Sequence, residues 1–265
     1  MESSSGKPWS RLLLKASRKL LLLSLCLALA GCAGKAANQS LPRSVQARMD
    51  LAQSYLQKDR PRHSLNELYK IKSQADGNPD YHFLLGLTQM ELKKYSAAAD
   101  EFERALEVDP DFGSAWNNLG LAYLNAEQFT KAEEAFHQAL DIPTYLTPEY
   151  AAYNLARLAK ERSRPEAALK YCRRAQEFNW RYGPVYFLLS ELLVEKGQIR
   201  EAVNYLRQGV KAQPENAELW LRLAENQLRL GHSSDAIESF QHIVEQAPES
   251  EPAEVARDYL GLLRD

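Results

Sequence analysis

The 265-residue chain carries 33 Lys and Arg against 35 Asp and Glu, with 45% apolar residues and three cysteines. So even a charge balance supplies no basic face for nucleic acid, whose phosphates require clustered Lys and Arg. Three cysteines cannot build a disulfide framework, and stability has to come from packing.

The first element is an eleven-residue apolar run, Leu20 to Ala30, preceded by Arg11, Lys15, Arg18 and Lys19. A membrane span takes roughly 20 residues, so the run is too short to cross a bilayer. A basic segment, an apolar stretch and then small residues are the order of a secretory signal. The junction Leu29-Ala30-Gly31-Cys32 resembles the lipobox of bacterial lipoproteins. That resemblance implies cleavage after residue 31 and a diacylated Cys32. Two acyl chains suffice for stable anchoring. Ala33 stands where an inner-membrane retention aspartate would sit, which by the same resemblance implies the outer membrane, facing the periplasm of a Gram-negative bacterium. Residues 1–31 hold five basic residues and one acidic one, so the mature chain would carry a formal charge of −6. Anchoring would then rest on lipid and not on charge. Residues 32–44 lack periodicity and read as a tether reaching roughly 20 Å.

From there a single pattern recurs. In residues 113–143, Trp116, Leu119, Gly120 and Tyr123 stand at helical spacing, followed by Ala132, Phe136 and Ala139 on a second helix. W-x2-L-G-x2-Y, then A-x3-F, then Pro, is the tetratricopeptide signature. Copies at a period of 34, with two residues inserted around Thr147-Pro148, predict six repeats at 45–78, 79–112, 113–148, 149–182, 183–216 and 217–250. Residues 251–265 predict a closing helix, because a solenoid needs its end covered. The expected fold is all-α, a right-handed superhelical solenoid of helical hairpins with a C-terminal cap. Small residues at the eighth and twentieth positions should let paired helices approach closely, with Gly120 facing Ala132.

Catalytic chemistry is missing from the pattern. The five histidines form no H-E-x-x-H and no i, i+4 pair; His82 takes the position of Trp116 and reads as a core residue. Cys172 takes the position of Phe136 and reads as a buried thiol. Glu101, Glu103, Glu133 and Glu134 read as solvated surface. The expectation is a non-enzymatic protein without metal or cofactor, touching the membrane only through its lipid.

The working surface should therefore be a binding face. The fifth, ninth and twelfth positions of each first helix form a stripe about 100° from the packed one. In solenoids of this kind that stripe lines a groove. It reads Phe83, Leu87 and Met90, then Asn117, Leu121 and Leu124, then Tyr153, Arg157 and Lys160. None holds a hairpin-core position, so alanine at Phe83, Tyr153 or Arg157 is expected to leave the helices intact. The Lys and Asn pattern that clamps two carboxylates in chaperone cofactors is not reproduced, since position five is Phe83, Asn117, Tyr153, Phe187 and Leu221.

A lipobox, a short tether and six such repeats, with Trp116-Asn117-Asn118-Leu119-Gly120 and the link Tyr145-Leu146-Thr147-Pro148-Glu149, resemble the type IV pilus biogenesis lipoproteins called PilF, PilW or Tgl. The resemblance implies a pilotin, which carries secretin subunits to the outer membrane and promotes their multimerisation. The alternative is a general envelope scaffold, resembling lipoproteins that dock peptidoglycan hydrolases or proteases.

Overall fold

The computed structural model describes residues 41–263, and among them every regular element is helical. The chain divides after Gln46, and the described residues from Ala47 onward form one compact unit. The signal, Cys32 and most of the tether lie outside the described residues.

Thirteen helices follow in order: α1 (Arg43–Gln57), α2 (Pro61–Ala75), α3 (Pro79–Glu91), α4 (Tyr95–Val108), α5 (Gly113–Asn125), α6 (Phe129–Asp141), α7 (Pro148–Glu161), α8 (Pro165–Phe178), α9 (Pro184–Glu195), α10 (Ile199–Ala212), α11 (Ala217–Arg229), α12 (Ser233–Gln246) and α13 (Glu251–Leu262). From α3 to α12 successive pairs form antiparallel hairpins that stack into a solenoid, α2 packs on α3, and α13 packs over α12 at the end.

Local chemistry sets the helix limits. Asn78, Asn216 and Ser250 cap α3, α11 and α13 by accepting from the backbone N–H three residues on. α4, α10 and α12 each stop two residues before Pro110, Pro214 and Pro248, as a residue lacking an N–H requires. The turn inside each hairpin uses one left-handed residue: Asp59, Lys93, Glu127, Ser163, Gly197 and Gly231, with φ between 54° and 76°. These positions repeat every 34 residues except for the 36 between Glu127 and Ser163. The bonds Glu127 N–H to Leu124 O (3.0 Å) and Gln128 N–H to Tyr123 O (2.8 Å) cap the preceding helix, the Schellman arrangement that ordinarily favours glycine at the left-handed site. Four of the six turns adopt it with a side chain.

Ala98, Ala132, Ala168, Ala202 and Ala236, the twentieth residues of their repeats, are all fully buried. At the eighth position the closest neighbour is the ring at the twenty-fourth. A methyl group built on Gly120 would lie 2.5 Å from the Phe136 ring, and one on Gly86 would lie 2.6 Å from Phe102. The missing side chain thus makes room for an aromatic ring on the partner helix. Tyr145 fills the inserted link in the same way: it sits against Gly113 and packs with Ala139 and Ala151, while Leu146 is left 93% exposed.

The fourth residue of four repeats reaches back to the carbonyl six residues earlier. Trp116 Nε1 donates to Pro110 O and Trp220 Nε1 to Pro214 O, both at 2.9 Å, Tyr186 Oη to Trp180 O at 2.6 Å, and His82 Nε2 to Asp76 O at 2.6 Å. These bonds fix the link between successive hairpins.

Candidate partner-binding groove

The stripe residues sit on the first helices α3, α5 and α7, whose buried faces hold the solenoid together. Phe83, Leu87 and Met90 are half-buried against the core around Phe102 and Phe136. The Phe83 ring lies 4.8 Å from Phe112 and 5.8 Å from Phe102. Phe83 is thus a packing residue as well as a partly exposed one, and alanine there removes contacts from the core. Asn117 is buried, its Oδ1 accepting from Asn154 Nδ2 at 3.0 Å. This amide pair joins α5 to α7 across 37 positions of chain and satisfies groups that would be costly to bury unpaired. Leu121 and Leu124 are half-buried on the same core.

The structure brings four stripe residues together. Leu124, Tyr153, Arg157 and Lys160 line a cleft of about 420 Å³, closed on the far side by Phe187 and Glu191 of α9. Phe83, Leu87, Met90, Asn117 and Leu121 do not line it. Phe187 and Glu191 hold the fifth and ninth positions of the next repeat, so the same stripe carried one repeat further finds them. Tyr153 is half-buried and meets Tyr182 edge-on at 5.4 Å. Burial raises the Tyr153 hydroxyl pKa against the opposing pull of Arg157. Lys160 Nζ reaches Glu191 at 2.5 Å and Glu195 at 3.8 Å, which neutralises one end of the cleft. Arg157 is exposed and forms no ion pair among the described residues. The cleft therefore offers two aromatic faces and one available guanidinium, a combination suited to anchoring a side chain or a carboxylate.

The other candidate chemical groups are structural. Burial pushes the Cys172 thiol pKa up to about 12, which makes it inert. His82 is buried, as its position implies. Three of the four glutamates read as solvated surface are engaged: Glu101 with His82 and Arg104, Glu103 with the Tyr123 hydroxyl and Glu133 with both terminal nitrogens of Arg164 at 3.0 Å. Apart from Arg104, three residues on from Glu101 in α4, these partners lie outside the helix that carries the glutamate, which helical periodicity within one element does not reveal. Among the described residues no group of three His, Cys, Asp or Glu could hold a metal ion, and no helix is long and apolar enough to cross a membrane.

Two profiles described as Tetratricopeptide repeat match residues 83–145 and 193–257. Among solved structures, PilW, a widely conserved type IV pilus biogenesis factor, superposes with a TM-score of 0.65 at 20% identity, covering 81% of this chain and 98% of its own. The pilF protein of Pseudomonas aeruginosa superposes with a TM-score of 0.65 at 18% identity, covering 81% of this chain and 97% of its own. Among curated sequences, a DnaJ homolog subfamily C member 7 homolog of Dictyostelium discoideum is 22% identical over 211 residues, 74% of this chain. The chain spans 39% of that relative's length. Identities this low speak for a shared fold. In repeat pattern and in fold alike, the described residues form a solenoid of tetratricopeptide repeats.

Proposed function

We propose that this protein is a lipid-anchored lipoprotein of the outer membrane that acts in type IV pilus biogenesis, holding secretin subunits through its first-helix groove and promoting their assembly. The observation that carries this reading is the order of parts. Leu29-Ala30-Gly31-Cys32 precedes a short tether and then a repeat solenoid of the same fold as PilW and the Pseudomonas aeruginosa pilF protein. Acylation at Cys32 supplies the membrane address. The cleft around Tyr153, Arg157 and Phe187 supplies aromatic and guanidinium anchors for a polypeptide segment. Such anchors dominate binding energy at interfaces.

The test is affinity capture of the full-length chain from detergent-solubilised envelopes. Co-purification of a secretin, and loss of secretin multimers in a deletion strain, are the expected results. Capture of peptidoglycan hydrolases or proteases, with secretin assembly normal in the deletion strain, would replace this reading with that of a general envelope scaffold.

A further inference from the structure

Two clefts on the second-helix side of the solenoid are built from equivalent residues, yet they differ in charge. One, of about 680 Å³, lies between α4 and α6 with α5 as its floor. The other, of about 530 Å³, lies between α10 and α12 over α11. All ten residues lining the first have their counterpart 104 positions later lining the second. The floors correspond: Leu106, Trp116 and Leu119 against Val210, Trp220 and Leu223.

The rims do not correspond. The later cleft carries Arg207, Lys211, Asp235 and Glu238, a balanced set. Arg207 Nη2 and Asp235 Oδ2 form an ion pair across it at 2.8 Å. The His242 ring stands 4.1 Å from Trp220 and covers its face. In this cleft one charge pair and the tryptophan face are already engaged by its own side chains.

In the earlier cleft the rim is Glu103, Glu107, Lys131 and Glu134, three carboxylates to one ammonium. Tyr123 holds the middle pair apart, donating its hydroxyl to Glu103 and carrying Lys131 Nζ over its ring at 5.0 Å. Glu107 and Glu134 have no ion-pair partner among the described residues, and Trp116 has no ring stacked on it there. An apolar floor under a net negative rim attracts groups of opposite charge and gives an apolar side chain a place to leave water.

We propose that the cleft formed by Leu106, Trp116 and Leu119 under Glu103, Glu107 and Glu134 is a second docking site, which takes a basic segment of a partner protein bearing Lys or Arg beside an aliphatic or aromatic side chain. The charge complementarity identifies the occupant. The cations meet the three carboxylates, and the apolar side chain covers the open face of Trp116. The site shares only α5 with the groove cleft at Tyr153, which takes Leu124 from that helix while this one takes Trp116, Leu119 and Tyr123, and no residue lines both.

The test uses the full-length protein in detergent and a fluorescein-labelled peptide of alternating Lys with Phe or Leu, measured by anisotropy, with the Glu-for-Lys peptide as control. The parent should bind the basic peptide at one site, more weakly as salt is raised, and ignore the acidic one. The triple variant Glu103→Arg, Glu107→Lys, Lys131→Asp reproduces the rim of the later cleft and should weaken binding by about tenfold or more. The reciprocal variant Arg207→Glu, Lys211→Glu, Asp235→Lys should create a second peptide site, and this gain decides the matter even if the first variant folds poorly. Undiminished affinity in a folded triple variant, absence of a second site in the reciprocal one, or equal binding of the acidic peptide would each overturn the proposal. So would loss of peptide binding on Arg157→Ala, which would place the peptide in the groove.

Discussion

His82 Nδ1 stands 2.7 Å from Glu101 Oε2 while its Nε2 meets the Asp76 carbonyl at 2.6 Å. The Asp76 carbonyl and an ionised Glu101 are both acceptors, so the two bonds are made together when the ring is an imidazolium. Burial opposes that charge, but the Glu101 hydrogen bond, the Asp76 carbonyl and the nearby carboxylates outweigh it and raise the His82 pKa above its ordinary value. The pair links α3 to α4 at a position where three other repeats use Trp or Tyr.

A pH dependence of stability follows from that pair. Because the folded pKa is raised, the contribution of His82 is fully present below the unfolded value of about 6.5 and is lost as pH rises through the folded value. Melting temperature measured from pH 5 to 9 should therefore fall toward the alkaline side by an increment that Glu101→Gln removes. An unchanged pH profile in Glu101→Gln would show that the ring is neutral in the fold.

Gly120 and Phe136 should behave as one unit. Gly120→Ala forces the Phe136 ring to move and should cost about 1–3 kcal/mol in urea denaturation. In a Phe136→Leu background the same change should cost much less, since the obstructing ring is gone. Repeat five already pairs Ser190 with Leu206 at these two positions. Additive costs in the double-mutant cycle would mean that the two residues do not share this space.

Glu127 sits at φ 58° in the turn between α5 and α6. The left-handed conformation costs a side-chain-bearing residue roughly 1–2 kcal/mol, partly offset by the greater freedom glycine has when unfolded. Glu127→Gly should raise stability by about 0.5–1 kcal/mol, whereas Gly231→Ala at the equivalent turn should lower it by a similar amount. Changes of the same sign at both sites would rule out conformational strain as the cause.

Cys32→Ala should leave the protein unacylated, either retained with residues 1–31 attached or released in soluble form. Envelope fractionation and palmitate labelling read the outcome directly. A variant that stays with the outer membrane as the parent does would mean that the anchor is not at Cys32.

In the groove, Tyr153→Ala and Arg157→Ala should each weaken the partner by about 1–2 kcal/mol if both are anchors; the exposed Arg157 should leave stability unchanged, whereas Tyr153, packed on the core and against Tyr182, should also lower it. Phe83→Ala should likewise lower the melting temperature, because its ring touches Phe102 and Phe112. Titration calorimetry beside thermal melts separates the two effects. Wild-type affinity in a folded Tyr153→Ala, Arg157→Ala double variant would remove this cleft from partner binding.

The repeat was legible in the chain because hairpin packing is written in local periodicity. Trp116, Leu119, Gly120 and Tyr123 share one helix face by spacing alone, and the same face returns at His82 and Trp220 whatever the surroundings. What lies between repeats was decided only by the tertiary structure. Asn117 is an outward stripe residue by spacing but is buried by Asn154, 37 positions away. Lys160 belongs to the groove stripe by spacing but is tied to Glu191 and Glu195 on the next first helix. Glu127 carries no turn signal, since a left-handed residue there is imposed by the two helices it joins. The equivalent rims around Trp116 and Trp220 hold charges that a repeat register lines up without showing which ones pair. Periodicity determines which side chains share a face of one helix. The rotation and spacing of stacked hairpins determine which faces meet, and burial and ion pairing between helices depend on that meeting.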